Sequence, residues 1–190
     1  MDASPIAQIE AAMVAQLRIG FAGLGVEVEN YSGQLDDDAF EWIRTLPAIW
    51  VSFDEHTHVE QVGANSTKFN GRFVAIAAAR VLGPEPDRRQ GNAGELGVYQ
   101  LQEQAKITLA NMTLGLPIEP INVGAMKSML KGRPAHGDAV AVYAQYFSTW
   151  WVEYFDKTAN DPPLNGVNLN YFLSSGHTTP DASDSVDLTA

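Results

Sequence analysis

A chain of 190 residues, 45% hydrophobic and 18% charged, is long enough for one domain with a real core. Twelve lysines and arginines against 23 aspartates and glutamates leave a net charge of -11, which repels phosphate backbones and argues against sequence-specific DNA binding. Four Trp, eight Phe and six Tyr exclude wholesale disorder, and the lack of cysteine excludes disulfides and thiolate zinc sites.

The opening "MDASPIAQIEAAMVAQL" lacks the basic start and unbroken apolar stretch of a signal peptide. No apolar run approaches the roughly 20 residues of a membrane span, so a soluble, intracellular protein is expected. Ser4 followed by Pro5 predicts a helix start, with a hydroxyl to cap free N–H groups and a proline whose missing donor costs nothing there. Ile6, Ile9, Met13, Leu17, Phe21 and Leu24 recur at spacings of three and four, the stripe of an amphipathic helix packed on a sheet. "VEVENY" then alternates as a half-buried strand, with Val26 and Val28 on one face. In "SGQLDDDAFEWIRTLP", Asp36 or Asp37 can cap a short helix that carries Phe40 and Ile43 inward and stops at Pro47.

"AIWVSFD", residues 48–54, and the run from Lys68 to Arg80 predict two strands, with 55–66 as their connection. Residues 83–97 read as a loop. From Glu95 to Met112 the helical pattern returns, with Val98, Leu101, Ala105, Leu109 and Met112 inward and Gln100, Glu103 and Gln104 outward. "VGAMKSML" predicts a short strand, and 138–155 a long one that is apolar on both faces, hence central or at a subunit contact. Beyond residue 155 the composition turns to Asn, Pro, Ser, Thr and Asp, with one lysine against five aspartates. The division expected is a domain over 1–155 and an acidic arm over 156–190, disordered in the free subunit and ordered on assembly, in which only "NLNYFL" can anchor. The element order describes an α/β (α+β) domain with a mixed, largely antiparallel sheet flanked by helices.

Three stretches carry candidate chemistry. In "DEHTHVE", His56 and His58 at alternate strand positions, with Asp54, Glu55 and Glu60, could form a nitrogen and oxygen metal set for a hydrolase. His136 and His177 are distant in sequence, and a solvated turn explains the run as well. "QLDDD" lacks the spacing and glycine of a calcium loop, and capping accounts for it. In "GPEPDRRQGNAGELG", Arg88 and Arg89 can dock a partner, sit in a solvated loop or bind an anion. In so acidic a chain, docking against another acidic copy is the reading that charge favours. Trp150 and Trp151 fall on opposite faces of a strand, so at least one needs cover from another subunit or from the arm.

Read in order, "YSGQLDDDAF", "LPAIWVSF", "AIAAARVLG" with "RRQGNAGELGVYQL", "LGLPIEPINVG" and "VAVYAQYFSTWW" resemble the small tail protein family of Mu-like phages and prophages. In place and pattern this family is similar to tail terminators, and the likeness runs over residues 5–152. The resemblance implies a tail-completion protein. Such a protein forms a hexameric ring on the head-proximal end of the tail tube, stops tube growth and meets the head-tail connector, with genomic DNA passing through the lumen unbound. It implies a virion protein assembled in the host cytoplasm, with no enzymatic activity, no metal and no cofactor. The expected interface residues are Arg88, Arg89, Glu95, Asp36, Trp150 and Trp151. A neck or connector protein of the same virion is the second reading, and a metal-dependent hydrolase on His56 and His58 the third. The acidic extension after residue 155 departs from the family pattern.

Overall fold

The computed structural model describes residues 4–36, 45–81, 85–92, 94–129, 140–155, 166–173 and 178–187. Contacts divide the chain into two compact units, Met1–Glu153 and Tyr154–Ala190.

The first unit opens with α1 (Pro5–Gly20), whose start follows the sequence: Ser4 Oγ accepts from the N–H of Ala7 at 3.3 Å and Pro5 occupies the first turn. Ile9, Met13, Val14 and Leu17 are buried along one stripe, each contributing about 1.5–3 kcal/mol of apolar burial. Phe21 caps the helix and is buried, whereas Leu24 lies beyond the end and is exposed, so the stripe stops one turn earlier than its spacing predicts. Strand β1 (Glu27–Asn30) follows, with Val28 buried, and then a short 3-10 turn over Gln34–Asp36. The helix expected to carry Phe40 and Ile43 falls outside the described residues.

Strands β2 (Ala48–Gly63) and β3 (Ser66–Arg80) form one long hairpin, closed by a turn at residues 64 and 65. Residues 55–63, expected as a connection, are therefore strand. Helices α2 (Glu85–Gln90) and α3 (Val98–Leu109) come next, then β4 (Asn122–Ser128) and β5 (Val140–Tyr154). The sheet order is β1-β2-β3-β5-β4, with β1 parallel to β2 and the β2–β3 and β4–β5 pairs antiparallel. This is the mixed, largely antiparallel sheet with helices that the sequence predicts, and β5 is interior to it.

Because side chains alternate along strands, the sheet has two apolar faces. Phe73, Ala75, Ala77 and Ala79 of β3 and Phe147 and Trp151 of β5 meet the stripes of α1 and α3. On the opposite face Trp50, Val74, Ile76, Val140, Val142 and Ala144 form a second cluster, against which Tyr31, Leu35, Leu46 and Tyr146 pack. Helix and sheet are tied by polar bonds as well. Glu10 accepts from the N–H of Phe53 at 2.5 Å, beside a break in the β2 register, and Gln104 donates to the carbonyl of Gly20 at 3.0 Å, linking α3 to α1. Gln102, 1% exposed, donates from Nε2 to the carbonyls of Ala75 and Tyr143, at 3.1 and 2.7 Å, so α3 pins β3 and β5 together.

The second unit contains β6 (Gly166–Tyr171) paired antiparallel with β7 (Ala182–Asp187). Within the arm these described residues are strand, and "NLNYFL" supplies most of β6. Asp181 steadies the turn side by accepting from the N–H of Leu173 at 2.8 Å.

Candidate functional site

The arginine-glycine stretch is a structural clasp. Residues 85–90 are helix and not loop, with Pro86 in the first turn and Gly91 just past the last residue, the two punctuation marks that suit those positions. At Gly91 φ is +83°, and a Cβ there would meet Gln100 Oε1, the Glu95 carbonyl and the Gly97 nitrogen within 2.7 Å. Gly97 is pressed against Gly91 from the other side, and its N–H donates to Gln100 Oε1 at 3.0 Å, capping the start of α3. Glu95 lies before that helix and not within it: its backbone bridges to Asn92, and its carboxylate accepts from Asn92 Nδ2 at 3.0 Å.

Arg89 reaches inward to the hydroxyl of Tyr143 on β5, where Ser128 of β4 also bonds. Tyr99 of α3 approaches the same hydroxyl at 3.4 Å, its ring edge-on to Tyr143 with centroids 5.3 Å apart. The Tyr143 phenol is held above the ordinary tyrosine range, first by its hydrogen bond with Tyr99 and then by burial, while Ser128 and Arg89 pull the other way. Arg89 thus joins the clasp to the sheet, and the Arg88 side chain lies outside the described residues. Sequence reasoning missed Tyr99 and Tyr143, whose partnership spans 44 residues and has no local signature.

The "DEHTHVE" stretch lies in the outer half of β2. The β2–β3 register shifts between Phe53 and Glu55 and again between His56 and His58, so simple alternation does not run through the stretch. Arg72 of β3 takes two of the three acidic residues in the stretch, with Nε 2.5 Å from Asp54 and Nη2 2.6 Å from Glu55, which raises the guanidinium pKa above its ordinary value, chiefly through the Asp54 bond. Among the described residues no three His, Asp or Glu side chains stand close enough to share a metal ion. The side chains of His56 and His58, and all of His136 and His177, lie outside those residues.

The Trp pair separates as its spacing requires, but cover for the buried member comes from within the unit. Trp151 is buried, stacked on Phe69 with centroids 5.9 Å apart, and its Nε1 donates to Glu153 at 2.8 Å. Trp150 is half-buried on the opposite face beneath Lys68, whose ammonium stands 4.7 Å from the ring centroid. Tyr146, four residues earlier on the same face, carries Arg72 at 5.1 Å and Lys127 at 5.2 Å. Three cations are thus spread over two aromatic rings at one end of the sheet, beyond the second apolar cluster. Asp36 ends the 3-10 turn, and its side chain lies outside the described residues.

The family model described as bacteriophage Mu, Gp37 matches residues 5–152. The chain belongs to that family. The match covers α1 through most of β5, so the clasp, the Tyr143 cluster and the cation-aromatic surface all lie inside the Gp37 region. The β6–β7 hairpin lies outside it. No curated protein matches the chain. Among the described residues no helix is long and apolar enough to cross a membrane.

Proposed function

We propose that this Gp37-family protein is a tail terminator, a subunit of a hexameric ring that caps the head-proximal end of the phage tail tube, stops its growth and receives the head-tail connector. Membership of a Mu phage family indicates a structural, tail-related virion protein, and the family match is the observation that carries the reading. Three physical features support the finer role. At "RRQGNAGELG" the glycines and Gln100 form a packed clasp, the kind of rigid element an assembly subunit needs. Two of the acidic residues that a hydrolase could draw from β2, Asp54 and Glu55, are held by Arg72. A chain of net charge -11 lining a ring lets DNA pass without adhering, while localised cations on the sheet offer neighbours a complementary contact.

The test is to polymerise tail-tube protein with and without the purified chain and to image the tubes by electron microscopy. A terminator shortens the tubes and adds density at one end only. Tubes of unchanged length with bare ends overturn the proposal, and binding to connector without any effect on tubes moves the protein to the neck.

A further inference from the structure

The β6–β7 hairpin is two-faced. Opposed residues of an antiparallel pair share a side, so the register sets Val167 beside Val186, Leu169 beside Asp184 and Tyr171 beside Ala182. The other side carries Asn168, Asn170, Ser183 and Ser185. Both strands are exposed along their whole length, with Leu169 46% and Val186 49% accessible. An isolated two-stranded hairpin is marginal in water, and an apolar stripe backed by a wholly polar one suits a hairpin that is covered on one side.

The chemistry of the cover follows from charge. Residues 156–190 carry one lysine and five aspartates, and Asp184 sits within the apolar stripe. The covering surface must therefore be apolar and basic together. Such a surface is scarce on a chain with only 12 lysines and arginines, yet Lys68 and Lys127 stand over the rings of Trp150 and Tyr146 at one end of the main sheet, beside an Arg72 already paired with Asp54 and Glu55. We infer that the apolar face of the hairpin in one copy docks on this cation-aromatic surface of a neighbouring copy, with Asp184 facing the cations. Two different patches meeting between identical subunits make a head-to-tail contact, the kind that closes rings. The inference rests on the ring reading above.

The closing experiment uses the full chain. Isotopically heavy and light proteins are mixed before assembly, with tail-tube protein added if assembly requires it, and lysine-carboxylate pairs are joined by carbodiimide and mapped by mass spectrometry. Linked peptides joining Asp184 to Lys68 or Lys127, one heavy and one light, are the expected result. Links of that kind only within heavy or within light chains would place the hairpin on its own subunit and overturn the inference. A ring-sized assembly with no such link overturns the docking and leaves the ring standing; a chain that stays monomeric even with tube protein overturns both. Leu169→Asp and Lys127→Glu, both at exposed positions, are each expected to weaken association about tenfold or more with unchanged melting. Combining Asp184→Lys with Lys127→Glu is expected to restore part of it. Association unaffected by all three variants contradicts the docking.

Discussion

Gly97→Ala isolates the α2–α3 clasp from every other feature of the fold. Gly97 has φ -83° and ψ 159°, an extended conformation open to any residue, so alanine meets no backbone penalty there. Its Cβ, however, would lie 2.1 Å from the Gly91 nitrogen, 2.5 Å from the Gln90 carbonyl carbon and 2.6 Å from the Arg89 oxygen. These are main-chain atoms that no rotamer change can move, and relief requires the turn to open by about 1 Å to restore normal contact distances. Opening it breaks the Gly97–Gln100 cap at 3.0 Å, the Asn92–Glu95 bond at 3.1 Å and the Gly91–Asp87 bond at 2.6 Å. Two or three lost bonds at about 1 kcal/mol each put the cost at about 2–3 kcal/mol, or about 4–12 °C of melting temperature for a chain of this size. Gly94→Ala is the matched control: φ is +108° but nothing lies within 4 Å of the added methyl, so its cost is conformational alone, about 1–2 kcal/mol. Scanning calorimetry of both variants should rank Gly97→Ala below Gly94→Ala. A Gly97→Ala protein melting with the wild type, or above Gly94→Ala, would refute the clasp.

Gln102→Leu should cost about 1–3 kcal/mol in urea unfolding, because the Ala75 and Tyr143 carbonyls lose their donor. Gln102→Glu should cost more, as a carboxylate cannot donate and is buried there; wild-type stability in both would show that the pins are dispensable. Trp151→Ala should lose about 3–5 kcal/mol and Trp151→Phe much less, and a mild effect of the alanine variant would mean that the Phe69 and Phe73 contacts carry little. Tyr143 has its folded pKa raised above 10.0, so its contribution to stability is present below about pH 10 and lost as pH climbs through the folded value. Thermal melts of Tyr143→Phe should accordingly fall less steeply above pH 10 than those of the wild type, and parallel curves would contradict the assignment.

The parts of the fold written in periodicity could be read in advance. Ser4 and Pro5 mark the start of α1, and Val140, Val142, Ala144 and Tyr146 against Ala141, Tyr143 and Phe147 set both faces of β5 as observed. The outer half of the β2–β3 hairpin was illegible for a physical reason. Hydrophobic alternation records burial, and β2 from Asp54 onward is mostly polar, so its hydrogen-bonded pairing with β3 leaves no alternating apolar pattern. Helix α2 was missed because six residues hold no stripe, although Pro86 and Gly91 bracket it. The site-level contacts were harder still: Arg89 with Tyr143, Arg72 with Tyr146 and Lys68 with Trp150 join residues more than fifty positions apart. Only the folded sheet brings them together. Gln102 broke the pattern in another way, as a polar residue on the buried side of α3 whose reason for being there is two strand carbonyls.

The central claim is that this Gp37-family chain closes into a ring at the end of the tail tube, and its mass in solution tests that most directly. Multi-angle light scattering of the full chain, alone and then with tail-tube protein, should show a species of six times the 20.6 kDa subunit, formed either spontaneously or on meeting the tube. A single 20.6 kDa species at every concentration, unchanged by tube protein, would contradict the account.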